Sequence, residues 1–158
     1  MSSFKDQISI LYKMRFMENE GDNIEIFEEI LNNLSLHGTN DIIPDLCTVF
    51  EDDIAEPTAD DYLIETIFYI AKRNGLEDGL LKLANGIPSM LPHAKFWAER
   101  IHRTLLNSEI YLEAYMNALD QVNSSAKLII KDILQAIKED EPPNLEKVNI
   151  ILDKLNYK

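Results

Sequence analysis

Apolar residues recur at helical spacing along almost the whole chain, and no segment reads as a convincing strand. Phe4, Ile8, Leu11 and Tyr12 share one face of a first helix, with Ser3 as its N-cap. The ENEGDN turn at Gly21 ends that pattern. Ile24, Phe27, Ile30, Leu31 and Leu34 give a second helix, capped by Asp22 or Asn23 and stopped by HGTN. Asp41 to Phe50 is a short helix with Pro44 in its first turn, where proline is tolerated. Thr58 or Asp60 starts a helix through Tyr62, Leu63, Thr66, Ile67 and Ile70, closed by Asn74-Gly75. Leu76 to Met90 forms another, broken near Pro88.

Pro92 opens the next helix, with Trp97, Ala98, Ile101 and Leu105 on one stripe. Asn107-Ser108 is a stop and a new cap. Ile110, Tyr111, Ala114, Tyr115, Ala118 and Leu119 continue beyond it. Ser124 or Ser125 caps Ala126 to Lys138, whose buried side is Leu128, Ile129, Ile133, Leu134 and Ile137. EDEPPN is a turn, and Leu145 to Leu155 is a final amphipathic helix. The pattern predicts an all-α fold of about nine helices in antiparallel pairs, as a HEAT-like array or an irregular bundle. Residues 1–158 are expected to form a single all-helical domain. At this length folding can bury roughly 68–70% of the unfolded chain's surface, so a core needs no disulfide or metal. Only five glycines and six prolines interrupt the chain, in keeping with long elements and short turns.

Charge is the second constraint. The net charge is −13, and residues 16–71 contain no Lys or Arg while carrying 15 of the 28 acids. The densest part is CTVFEDDIAEPTADDYLIET, residues 47–66, with seven carboxylates. Phosphate backbones demand Lys and Arg, so nucleic acid is excluded as a direct ligand, and an anionic membrane is disfavoured for the same reason. A basic macromolecule is the natural partner. Cys47 is the one cysteine, so no internal disulfide can form, which fits a reducing compartment. The N-terminus does not read as a signal peptide, and no run approaches the roughly 18 apolar residues of a membrane span. The expected location is the cytoplasm.

Catalytic and metal chemistry find little support. DDIAEPTADDYL lacks the spacing and turn glycine of a calcium loop. Glu99 and His102 form one Glu-x-x-His pair, but a di-iron bundle needs two. His37, His93 and His102 are the only histidines, and none sits beside a nucleophile in a known elbow. Cys47, among Leu46, Val49 and Phe50, reads as a small core residue. Paired carboxylates could serve a glycosidase, but such enzymes use aromatic-lined clefts, and Trp97 is far off in sequence. No glycine-rich phosphate loop exists. The chain is therefore read as no enzyme, with no catalytic, cofactor or metal residue.

Two explanations of the acidic stretch stay open. One is a solvated loop, with Asp60 and Asp61 favoured near a helix N-terminus by its dipole. The other is a docking face for a basic protein. A merely soluble surface mixes both signs, whereas a single sign is what electrostatic steering selects. The candidate contacts are Asp45, Glu51, Asp52, Asp53, Asp60, Asp61 and Glu65.

Residues 91–122, LPHAKFWAERIHRTLLNSEIYLEAYMNALDQV, add a resemblance. Ala94, Trp97-Ala98, Ile101-His102-Arg103, Leu106-Asn107-Ser108-Glu109 and Tyr115 resemble bacterial immunity proteins of polymorphic toxin systems, in particular the all-helical immunity protein 30 family. Ile43-Pro44-Asp45-Leu46, Val49-Phe50-Glu51-Asp52-Asp53, Leu80-Leu81 and Ile87-Pro88 extend the similarity over about residues 42–119. This chain has Lys95-Phe96 where the family pattern has a Pro-Glu pair before the tryptophan. In the helix after the acidic stretch the pattern has a His and a Glu, and here Glu65 is followed by Thr66-Ile67-Phe68-Tyr69. The resemblance implies a cytoplasmic protein that binds one cognate toxin and blocks it, the toxin being a basic nuclease-type domain whose cleft an acidic face would fill. The Trp97 motif itself reads as core. The alternative is a helical-repeat scaffold or adaptor with no toxin partner.

Overall fold

A computed structural model describes residues 3–140 and 145–156. The described residues form nine α-helices and three short 3₁₀ turns, with no strand, so the fold is all-α. The helices are α1 (Phe4–Lys13), α2 (Ile24–His37), α3 (Ile43–Cys47), α4 (Thr58–Asn74), α5 (Leu76–Gly86), α6 (Lys95–Leu106), α7 (Glu109–Ala118), α8 (Ser124–Asp140) and α9 (Leu145–Asn156).

Several boundaries follow from local chemistry. Ser3 Oγ accepts from Asp6 N at 3.1 Å, and Asn23 Oδ1 accepts from Glu25 N at 2.7 Å. Gly75 takes φ +115 between α4 and α5, a conformation side chains disfavour. Ser108 caps α7. Four expectations are corrected. The helix expected over Asp41–Phe50 splits into a 3₁₀ turn, Asn40–Ile42, and the short α3. Asn123, not Ser124, caps α8, with its Oδ1 2.9 Å from Ala126 N. Leu128 is 65% exposed and Ile130 is buried, because the core-facing stripe runs Ala126, Ile130, Ile133, Leu134, Ile137. Helix α6 begins at Lys95 rather than Pro92, because residues 91–94 form a turn and Ala94, at φ −131 and ψ 34, is not helical. The EDEPPN turn falls largely outside the described residues.

The buried apolar residues form one contiguous cluster from Ile8 to Leu155. Helix α5 lies at its centre, packed on α3, α4 and α7. Gly79 and Gly86 weaken α5 as isolated helix, yet the packing requires both. A Cβ on Gly79 would collide with Ala71 of α4, and one on Gly86 would lie 2.9 Å from Cys47 Sγ. Cys47 is fully buried, and burial, aided by the Asp45 charge, pushes its thiol up to about 12. That is an inert core residue.

His102 is also internal. Its Nδ1 lies 2.7 Å from the Ala98 carbonyl, which can only accept, so Nδ1 carries the proton. Nε2 then accepts from the Tyr115 hydroxyl at 2.7 Å. Desolvation pulls the ring's pKa down to about 4, partly opposed by the Ala98 bond. His102 is thus a neutral bracket between α6 and α7. Tyr115→Phe should strand Nε2 without a donor and cost about 1–3 kcal/mol in urea unfolding. A change within experimental error would show that the bracket contributes nothing.

Candidate functional site

Residues 48–57 connect α3 to α4 and lie against the start of α6. Three apolar side chains, Val49, Phe50 and Ile54, enter the core. The backbone between them is tied at several points. Trp97 Nε1 donates to the Glu51 carbonyl at 3.1 Å, and Glu51 N donates to Asp60 Oδ2 at 3.1 Å. Asp52 N donates to the His93 carbonyl at 2.9 Å, and Ala55 N donates to the Phe16 carbonyl at 2.9 Å. The Phe50 and Trp97 rings lie 6.3 Å apart. The acidic loop is therefore a fixed part of the surface.

Asp52 does a second job. Its Oδ2 accepts from Phe96 N at 3.2 Å, satisfying a free N–H in the first turn of α6. This bond comes from 44 residues upstream. An acid at this end also meets the positive pole of the helix dipole.

The seven candidate acids divide. Asp45, Asp52, Asp53 and Glu65 are exposed. Asp61 is half-buried, and its Oδ1 pairs with Arg100 Nε at 2.9 Å. Glu51 is only 5% exposed, and its Oε2 accepts from Asp53 N. Asp60 is fully enclosed, which corrects its place among the surface contacts. Nor is the base-free run free of bases in space: Arg100 reaches Asp61, and Lys82 lies 3.6 Å from Asp41.

Asp60 sits in the first turn of α4, where an acid is expected to face water. Instead its Oδ2 binds the Glu51 backbone, and its Oδ1 is buried with no hydrogen-bond partner among the described residues. Burial drives its pKa from 3.8 to about 8; the Glu51 N–H opposes the rise, and the charges of Asp61, Glu51 and Asp52 reinforce it. At neutral pH the group is mostly protonated. Glu51 and Asp60 are both closed off, so they cannot serve as a carboxylate pair for a substrate. Among the described residues no group of three or more His, Cys, Asp or Glu could hold a metal ion.

Beyond the loop, the exposed face of α4 carries Glu65 and Tyr69 as a ridge between two grooves. One, about 580 Å³, is lined by Asp61, Glu65, Lys72, Arg100 and the stacked Phe68–Tyr111 pair. The other, about 560 Å³, lies between α2 and α4 and includes Glu28, Leu36, Tyr62, Glu65 and Tyr69. Glu28 and Tyr69 are absent from the sequence-derived candidates, since only the packing of α2 on α4 brings them together.

Two substitutions test the loop's anchoring. Trp97 is 2% exposed, and Trp97→Ala should lower stability by about 3–5 kcal/mol, since it leaves a cavity and frees the Glu51 carbonyl. A loss below about 1 kcal/mol would place the ring outside the core. For Asp60 the folded state holds its proton more tightly than the unfolded state. Its contribution is therefore intact below pH 3.8 and is lost as pH rises towards about 8. Asp60→Asn mimics the neutral acid, so its melting temperature should exceed the parent's by a margin that grows across that window. Parallel curves for the two proteins would refute a neutral Asp60.

No helix among the described residues is long and apolar enough to cross a membrane. No curated protein and no solved structure matches the chain. The family model described as Immunity protein 30 matches residues 13–115, a span that holds α2 to α6, the tethered acidic loop and the Trp97 and Tyr115 anchors. By that match, the chain belongs to the immunity protein 30 family.

Proposed function

We propose that this chain binds and neutralises a cognate bacterial toxin as a non-enzymatic inhibitor, acting in the cytoplasm of the cell it protects. Membership of the immunity protein 30 family carries this proposal. The toxin is taken to be a basic, nuclease-type domain. Support for that finer point is the charge pattern: 15 acids and no base over residues 16–71. The proposed contact face is the exposed remainder of the acidic set, Asp45, Asp52, Asp53 and Glu65, with Asp61 at its edge beside Arg100. The tethered loop supports it physically, because fixed charges lose little entropy when a partner arrives. The full chain is proposed to act as one unit, in keeping with its contiguous core.

Co-expression with the product of the gene directly upstream is the first experiment. The pair should co-purify, and the chain should rescue growth from that product. If the neighbouring product is not toxic, or if the chain neither binds it nor protects, the inhibitor proposal fails.

The contact face makes a separate prediction. Attraction between opposite net charges can raise association rates by about 10- to 1000-fold at low salt. Screening at a Debye length of about 8 Å should remove most of that gain at physiological ionic strength. Association should thus slow steeply with salt while dissociation changes little. Asp45→Asn, Asp52→Asn and Asp53→Asn together should slow association; asparagine at 52 keeps an acceptor for Phe96 N. Removing three exposed acids of α8 and α9, Asp132, Glu139 and Asp153, should do much less. Equal effects from the two triple variants, in stopped-flow association rates, would leave net charge as the only driver and exclude the loop as the contact.

A further inference from the structure

We propose that the groove between α2 and α4 seats an arginine side chain of the protein partner. The proposal rests on the inhibitor reading for its occupant, and on the groove's own chemistry for everything else. The cavity measures about 560 Å³, within the usual range for a small binding pocket. Leu31 and Leu36 supply an apolar side, Tyr62 and Tyr69 supply aromatic surfaces, and Glu28 and Glu65 supply charge. No lysine or arginine lines it. Neither Glu28 nor Glu65 has an ion-pair partner among the described residues.

The groove on the other side of α4 makes the contrast. It is of similar size and shares Glu65 and Tyr69, but Lys72 and Arg100 line it, and Arg100 is already paired with Asp61. An incoming cation there meets two bases. Arg73 reaches this α2–α4 groove at one edge, because Ser35 is among the residues that line it. Its guanidinium donates to the Ser35 carbonyl at 3.0 Å and to the Gly38 carbonyl, at the C-terminal end of α2. One groove is thus lined by both signs, whereas the other has only acidic charges in its lining, with Arg73 held against backbone carbonyls at its edge.

Arginine fits this lining better than lysine. Its guanidinium is flat, so it stacks on a tyrosine ring while its edge donates to carboxylates. Tyr69 is 50% exposed, which leaves ring surface to cover. Arginine and tyrosine are also the residue types that dominate interface energetics.

The test uses the full chain labelled with ¹⁵N and the peptide acetyl-Gly-Arg-Gly-amide as probe, with citrulline and lysine versions as controls. Citrulline keeps the shape of arginine and removes its charge. The arginine peptide should shift amide resonances of α2 and α4 around Glu28, Leu36, Glu65 and Tyr69. The lysine peptide should bind more weakly and the citrulline peptide not detectably. Glu28→Gln with Glu65→Gln should weaken arginine-peptide binding roughly two- to fivefold per lost pair, with an unchanged circular dichroism spectrum. The proposal is overturned by absent shifts in the groove, by equal response to citrulline, or by shifts centred on Asp52–Asp53 or on the Lys72–Arg100 groove. Neutralisation of the neighbouring toxin without peptide binding would sink the groove and keep the inhibitor. Peptide binding in a chain that protects against no toxin would do the reverse.

Discussion

The backbone of Glu51 is gripped from both sides, and the candidate surface depends on that grip. Its N–H goes to Asp60 on α4, and its carbonyl receives the Trp97 indole from α6. One residue of an irregular segment thereby locks two helices and fixes the path of the loop between them. Each bond alone is modest, about 0.5–1.5 kcal/mol net. Breaking either is worse than that figure suggests, because it leaves a polar group stranded in a dry interior. The neighbouring bonds from Asp52 to the start of α6 and from Ala55 to Phe16 extend the same clamp.

That clamp brings carboxylates close together, and the protonation of Asp60 is how the fold accommodates them. A charged Asp60 would be buried close to the charges of Asp61, Glu51 and Asp52, with no ion-pair partner of its own among the described residues. Neutral, it keeps the Glu51 bond and removes one repulsive charge from beneath the loop. Asp61 is relieved differently, by Arg100. What remains at the surface is a smaller and better-supported set of charges than the composition suggests.

The helices were legible because their signals are local. Ser3, Asn23, Ser108 and Gly75 act within a few residues of the boundary they set, and the Trp97 stripe needs only helical periodicity. What escaped the sequence depends on distant partners. The first turn of α6 receives a hydrogen-bond acceptor from Asp52, which no window around Pro92 contains. Ile130 faces inward and Leu128 outward because of where α8 docks, and both fit a helical pattern equally well. Asp60 was misplaced for a subtler reason: an acid in a first helical turn is ordinarily a surface residue held by the dipole. Its burial rests on the Glu51 N–H above it and on its raised pKa, neither of which is visible in the sequence. Glu28 could not be grouped with Tyr62 and Tyr69 from sequence, because these residues of the same groove lie on another helix.

The same geometry bears on how partner choice can vary within one scaffold. In the run Glu65-Thr66-Ile67-Phe68-Tyr69, the middle three side chains are buried. Thr66 also returns a hydrogen bond to the Tyr62 carbonyl, so it is occupied within α4. Within this run only Glu65 and Tyr69 are exposed, four residues apart and therefore on one face. Both border the two grooves. Substitutions there change charge and aromatic surface at the ridge without touching the α4–α5 packing that Gly79 and Ala71 make so close. Thr66, Ile67 and Phe68 have no such freedom, because any change there is felt first in the core. A helix that alternates in this way can keep its fold constant while its outward pair is rewritten, and that separation suits the proposed inhibitor.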